Sequence, residues 1–203
     1  YIENVEKVPD MTASEKSERI AEAKVLISLC YFEMLRYVGG VTWLDHYVDV
    51  NETMNFPRIT FAETVEKIVG LLDEAIGSEL KWKQKAEDDG RMTKAGAMAL
   101  KFKVLQWAAS PTFNSNTKWH PKADEYTCYG NYSDQRWKDA EAAGKAFFAE
   151  VQKQGEYELI QPTEATHRAR RLAYRKAYYN RGGTEILIST RQGYGSDVHS
   201  SFI

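Results

Sequence analysis

The sequence predicts a mainly α-helical fold of antiparallel helix pairs separated by long inserted loops. Three observations carry this expectation. Amphipathic runs recur at 21–41 (AEAKVLISLCYFEMLRYVGGV), 90–107 (GRMTKAGAMALKFKVLQW) and 136–151 (RWKDAEAAGKAFFAEV). Thr12 with Glu15 and Thr60 with Glu63 have capping-box spacing, in which a hydroxyl and a carboxylate satisfy the free amides of a helix start. Between the runs lie stretches rich in Gly, Pro, Asn and Ser that show no helical period.

The first helix opens at Thr12 or Ser14. From Ile20 onward, Ala23, Ile27, Cys30, Tyr31, Met34, Leu35 and Val38 fall at spacings of three and four, which predicts one buried stripe. Gly39 and Gly40 end it, because glycine reaches the left-handed backbone that a helix C-terminus favours. A loop from Val41 to Arg58 holds Trp43 and closes at Pro57. The second helix starts at Thr60 and sets Val65, Ile68, Leu72, Ile76 and Leu80 on one face. The polar turn EDDGR leads to a third helix, Thr93 to Ala109, whose Ala95, Gly96, Ala97 and Ala99 permit close backbone approach.

From Ser110 to Gln135 the helical pattern fails, and loops this long are usually functional or disordered. A fourth helix, Arg136 to Lys153, keeps Trp137, Ala140, Gly144, Phe147 and Val151 in register. A fifth, basic helix runs from about Thr163 to Tyr179 and precedes a Gly182–Gly183 turn. After it, EILIST from Glu185 reads as a short buried strand or extended segment. Aromatic and small residues alternating across the helices resemble tetratricopeptide repeats, in which each hairpin stacks on the next. No period of about 34 residues is visible, so the expected form is a degenerate solenoid.

A chain of 203 residues suits one domain, or a substantial piece of one, and can bury a core. Hydrophobic residues at 43% and charged residues at 28% are ordinary for a globular protein and argue against disorder. Aromatics reach 12%, with 12 Tyr and 5 Trp, a composition suited either to recognition surfaces or to packing between helices. The net charge of -2 sets up no global field for nucleic acid or acidic lipid. Cys30 and Cys128 read as free thiols, one in an apolar helix and one in a polar loop. No apolar run approaches the length that crosses a bilayer. The start, YIENVEKVPD, shows no initiator Met, signal peptide or lipid-attachment cysteine, and with the end HSSFI it reads as that of a fragment.

Catalytic signatures are absent. His46, His120, His167 and His199 stand alone, without HExxH or a Cys/His set at metal-ligand spacing, so neither a metal nor a cofactor is expected. GxSxG, GxxxxGK[ST] and GxGxxG are missing, which points away from an enzyme. Asp124, Glu125, Asp134 and Asp139 surround the long loop, and solvated surface acids are the simpler reading than a glycosidase pair. Arg168, Arg170, Arg171, Arg175 and Lys176 are interleaved with Tyr174, Tyr178 and Tyr179. That mixture can bind an anionic partner, or it can be a solvated helix pairing with acidic neighbours.

The most suggestive constellation is Trp119, Tyr126, Tyr129 and Tyr132 in one polar loop, with Asn114, Asn116, Asp124, Asn131 and Asp134 among them. Sugars present apolar C–H faces and a rim of hydroxyls, so binding them calls for aromatic platforms edged by amides and carboxylates. Trp119, Tyr126, Tyr129, Tyr132, Asn131 and Asp134 are therefore the candidate ligand contacts. The alternative is that the rings pin the loop onto the helices.

Taken in order, several anchors resemble the SusD/RagB family of Bacteroidota. They are Glu22-Ala23-Lys24 with Tyr31-Phe32 and Arg36-Tyr37 before Gly39-Gly40-Val41, then Gly90-Arg91 with Thr93-Lys94, Ser110-Pro111 with Phe113-Asn114, Trp137 with Ala140, and the segment Glu185 to Ser189. Thr42 departs from the family, which usually has Pro there. The resemblance implies the central part of a SusD-like helical fold, lacking an N-terminal lipoprotein segment and a C-terminal part. It further implies a non-catalytic lid, lipid-anchored at the outer membrane, that binds an oligosaccharide, or a peptide in the RagB branch. Such a lid delivers its ligand to a SusC-like TonB-dependent transporter, with no nucleic acid involved. A helical scaffold for protein interaction is the remaining alternative.

Overall fold

The computed structural model describes residues 1–53, 55–180 and 183–189. Both capping boxes are closed in it. Thr12 Oγ1 accepts from Glu15 N at 3.2 Å while Thr12 N donates to Glu15 Oε2 at 2.8 Å. Thr60 and Glu63 repeat the pair at 3.2 and 2.8 Å. These caps start α2 (Ala13–Val38) and α3 (Phe61–Gly77) where the sequence places them. A four-residue helix, α1 (Ile2–Val5), precedes them and has no counterpart among the sequence expectations; it buries Val5. The remaining helices are α4 (Lys94–Ala108), α5 (Asp134–Gln154) and α6 (His167–Tyr179).

The helices pack in chain order, α2 on α3, α3 on α4 and α4 on α5. The core lies between α2, α3 and α4, where Val25, Phe32, Phe61, Ile68, Leu72 and Val104 are all fully buried. Each such side chain contributes about 1.5–3 kcal/mol by leaving water. Small residues set the spacing at α5. A Cβ on Gly144 would meet the Phe102 ring at 3.0 Å, so glycine lets α5 approach α4. Gly96 of α4 plays a similar part toward the segment at Leu187 and Ile188.

The fully buried stripe of α2 agrees with the predicted one only at Tyr31 and Leu35. Ala21, Val25, Ser28, Phe32 and Leu35 face the core, joined by Tyr31, whereas Cys30, Met34 and Val38 are exposed and Ala23 and Ile27 are half-buried. The helix is apolar on two sides, and periodicity alone does not say which side is covered. Polar residues on the true core side find partners. Ser28 Oγ donates to the Lys24 carbonyl at 2.8 Å, and buried Glu22 receives Arg19 and Arg91, each at 2.8 Å. Arg91 is the last residue of the EDDGR turn, so this buried ion group fastens that turn to α2. Neighbouring Glu18 feels burial, which works against its charge, but Lys81 and Gln84 more than offset it and lower its pKa.

Other expectations shift at their edges. Leu80 is buried, but it lies beyond the end of α3. The basic helix starts at His167 and not at Thr163, because the Thr166 side chain accepts from Ala169 N and caps it there. Among the described residues α6 packs against no other helix, and its cations are solvated, as one reading has it, but pair with no acidic neighbour. Residues 185–189 form turns and bends, not a strand. Their link to the chain is irregular: Glu158 N donates to the Thr184 carbonyl at 3.2 Å, and Ile160 N donates to Glu185 Oε1 at 2.5 Å. Gly182 and Thr190 lie outside the described residues. Cys30 is exposed, Cys128 is buried, and both are free thiols. Among the described residues no helix is long and apolar enough to cross a membrane.

Candidate functional site

Residues 110–133, between α4 and α5, make a loop that is fastened at several places. At its start, the Ser110 carbonyl accepts from Phe113 N and Asn114 N at 3.0 and 2.9 Å, turning the chain back toward the core. Phe113 then stacks on fully buried Phe61, with ring centroids 5.0 Å apart, and lies 4.1 Å from the Trp107 ring. Tyr129 meets the edge of the same Phe61 at 5.0 Å, and Tyr129 N donates to the Phe113 carbonyl. Burial pushes the Tyr129 hydroxyl up to about 12. That ring is half-buried and packs against the core.

Asn114 is the loop's central staple. It is 2% exposed; its Nδ2 donates to the Ser133 carbonyl at 2.9 Å, and its Oδ1 accepts from Ser133 N and Arg136 Nη1, each at 2.7 Å. The Arg136 guanidinium also donates to the carbonyl and Oδ1 of Asn131 at 2.7 Å, and it sits 3.6 Å from the Tyr129 ring centroid. One arginine from the first turn of α5 thus gathers both ends of the loop.

A second fastening involves the Gly-Gly pair. Gly39 has φ 77, the conformation that favours glycine, and a Cβ there would meet the Tyr126 carbonyl oxygen at 2.1 Å. Gly40 N donates to that same oxygen at 2.6 Å, and Phe61 N donates to the Glu125 carbonyl at 2.9 Å. Arg58 reaches over the join. Its Nε and Nη2 donate to the carbonyls of Gly40 and Val38, and its guanidinium lies 5.1 Å from the Tyr126 ring centroid.

The six candidate contacts therefore separate. Trp119 and Tyr132 are 57% and 52% exposed and offer free ring faces. Trp119 lies near His120, and Tyr132 N donates to Asn116 Oδ1. Tyr129 is a packing residue, and Tyr126 is half-buried under Arg58. Asn131 is exposed, but both of its oxygens are taken by Arg136. Asp134 opens α5 and pairs with Lys138 at 2.7 Å. The structure brings Tyr129 and Asn131 together at Arg136, while Tyr126 is held separately by Arg58. Arg136 and Arg58 were not among the candidates, since nothing in the local sequence tells a loop-binding arginine from a solvated one.

Trp119 and Tyr132 are thus the exposed rings of a held loop, and exposed aromatic faces suit a ligand with apolar faces and hydroxyls. A separate cleft of about 830 Å³, with Ile2, Leu26, Leu44, Tyr47 and Arg91 among its lining residues, lies away from this loop. His46 at its margin has a raised pKa, caused first by Asp45 and then by Glu52. Among the described residues no cluster of His, Cys, Asp and Glu could hold a metal.

No protein-family model matches the chain, and no curated protein does. Solved structures do. A SusD-like protein from Bacteroides fragilis superposes with a TM-score of 0.67 at 24% identity, over 95% of this chain and 31% of that one. The fold is SusD-like. A SusD superfamily protein from Bacteroides vulgatus gives a TM-score of 0.66 at 18% identity, over 95% of this chain and 38% of its own. A laminarin-binding SusD-like protein matches 53% of this chain and 23% of its own, with a TM-score of 0.50 at 25% identity. The chain spans about a third of the length of the first solved structures it matches. Thr42, where the family usually has Pro, takes part in an antiparallel bridge with Arg58, and its hydroxyl donates to the Phe56 carbonyl at 3.1 Å.

Proposed function

We propose that this chain is part of a SusD-like cell-surface protein that captures glycan and passes it to a TonB-dependent transporter without altering it. The SusD-like fold over 95% of the chain carries the reading. The laminarin-binding SusD-like protein among the matched structures supports the ligand class. Trp119 and Tyr132 supply the platforms, and backbone groups, Asn116 and Asp134 along the rim meet the hydroxyls. Tyr126, Tyr129 and Asn131 hold the loop in place and act on ligand only through it.

Capture needs no acid–base pair. It needs a surface ordered before the ligand arrives, so that little conformational entropy is lost on binding. The clamps at Arg136 and Arg58 meet that need. The lipid anchor, the outer-membrane location and the transporter contact follow from the same reading.

A glycan array on the intact protein tests it, followed by calorimetry on the strongest hit. Trp119→Ala and Tyr132→Ala are each expected to weaken that binding about tenfold, the scale of one lost aromatic contact. Unchanged affinity in both variants removes the loop from the site. Product release from the bound glycan contradicts a carrier, and extended peptides that bind where no glycan does favour the RagB-like alternative.

A further inference from the structure

We infer that α6 is a second glycan-binding element, selective for polysaccharides bearing carboxylate or sulfate groups. This inference rests on the glycan-capture reading and adds a ligand class to it. The helix reads HRARRLAYRKAYY, with four arginines, one lysine and no acid. At 100° per residue, Arg168, Arg171 and Arg175 share one side, opposite buried Ala169 and Ala173. Tyr178 and Tyr179 flank that row and are 74% and 76% exposed.

The other arginines among the described residues are held differently. Arg19 and Arg91 bind Glu22, Arg36 binds Glu33, Arg58 binds the Gly40 and Val38 carbonyls, and Arg136 binds Asn114 and Asn131. Among the described residues none of the five α6 cations has an ion pair or a side-chain hydrogen bond. No other helix covers them either. Arg168 with Arg171 and Arg171 with Arg175 sit at helical spacings where like charges destabilise each other. An anionic ligand cancels that repulsion.

The chemistry favours an acidic sugar polymer. Guanidinium forks bind carboxylate and sulfate bidentately, about 4.5 and 6 Å apart along the helix axis. Exposed tyrosine faces beside them suit the C–H surfaces of pyranose rings. The chain as a whole carries -2, so no global field favours a long nucleic-acid duplex across the surface.

The test measures binding of polygalacturonate, chondroitin sulfate, neutral laminarin and a single-stranded oligonucleotide to the intact protein at low and moderate salt. An acidic glycan is expected to bind, to weaken steeply with salt, and to lose at least about tenfold in the variant R168A/R171A/R175A, the scale of one charged hydrogen bond. R168K/R171K/R175K keeps the charge and is expected to recover part of that loss. Equal binding by the alanine variant, no binding of either acidic glycan, or equally tight binding of the oligonucleotide each overturns the inference. A lysine variant no better than the alanine variant also overturns it. Laminarin bound while both acidic glycans fail leaves the capture reading standing and sinks this inference alone; a protein that binds no glycan sinks both.

Discussion

Asn114 shows how one residue changes meaning between sequence and structure. In the sequence it belongs to a polar loop and looks like a rim group for a sugar. In the fold it is buried and spends its amide on Ser133 and Arg136. Asn114→Ala is expected to cost about 2–4 kcal/mol, because it strands a buried amide, a carbonyl and a guanidinium donor. Tyr132→Ala, at an exposed ring, is expected to stay within about 0.5 kcal/mol. Urea midpoints of the two variants check both values. A stable N114A variant would show that this residue is not the loop's staple.

Among elements, α2 and α3 owe their starts to matched caps. Removing the Thr60 hydroxyl in Thr60→Ala is expected to cost about 1 kcal/mol. The caps also set a pH dependence. Glu15 and Glu63 have lowered pKa values, caused first by the backbone N–H groups of Thr12 and Thr60 that they accept from. Their native values lie below the unfolded carboxylate value of about 4.3. Their contribution to stability is therefore present above that value and is lost as pH falls through the lowered native ones. Urea midpoints measured from pH 5 to pH 2 should fall less steeply in the Glu15→Gln/Glu63→Gln double variant; an unchanged slope would dismiss the caps as its source. At the other end of α2, Gly39→Ala strains a positive φ and collides with the Tyr126 carbonyl. It is expected to cost more than the roughly 1 kcal/mol of a backbone penalty alone and to open residues 115–127 to proteolysis. A protected loop in that variant would show that the join is dispensable.

For the whole molecule, the five longer helices and their order were legible because their caps, glycine stops and small-residue faces follow from local chemistry, whereas the short α1 carries no such signal. Thr12, Thr60 and Gly39 announce themselves within a few residues. The covered side of α2 was not legible, since Ala23, Ile27, Cys30, Met34 and Val38 have the same spacing as the true core row. Which loop aromatics are free was equally hidden. Tyr129 and Trp119 look alike in sequence, and only the distant Phe61 and Arg136 decide that one is packed while the other, beyond their reach, is exposed. Of the strand or extended segment expected from Glu185, the strand does not form: no neighbouring strand exists among the described residues for it to pair with, and the Leu187 carbonyl and Ile188 side chain instead approach α4 at Gly96.

The two fastenings of the 110–133 loop divide it in a useful way. Asn114 fixes one point and the Tyr126 carbonyl fixes another, and residues 116–122 between them are exposed throughout. Loop-closure entropy grows slowly with length, so each doubling of such a segment costs only about 0.6 kcal/mol. The span from Thr117 to Lys122, beyond the tie of Asn116 to Tyr132, is thus open to exchange. Its length and composition can drift, or be grafted from another source, while both clasps and the helices beneath stay unchanged, which is how one scaffold can come to serve many ligands.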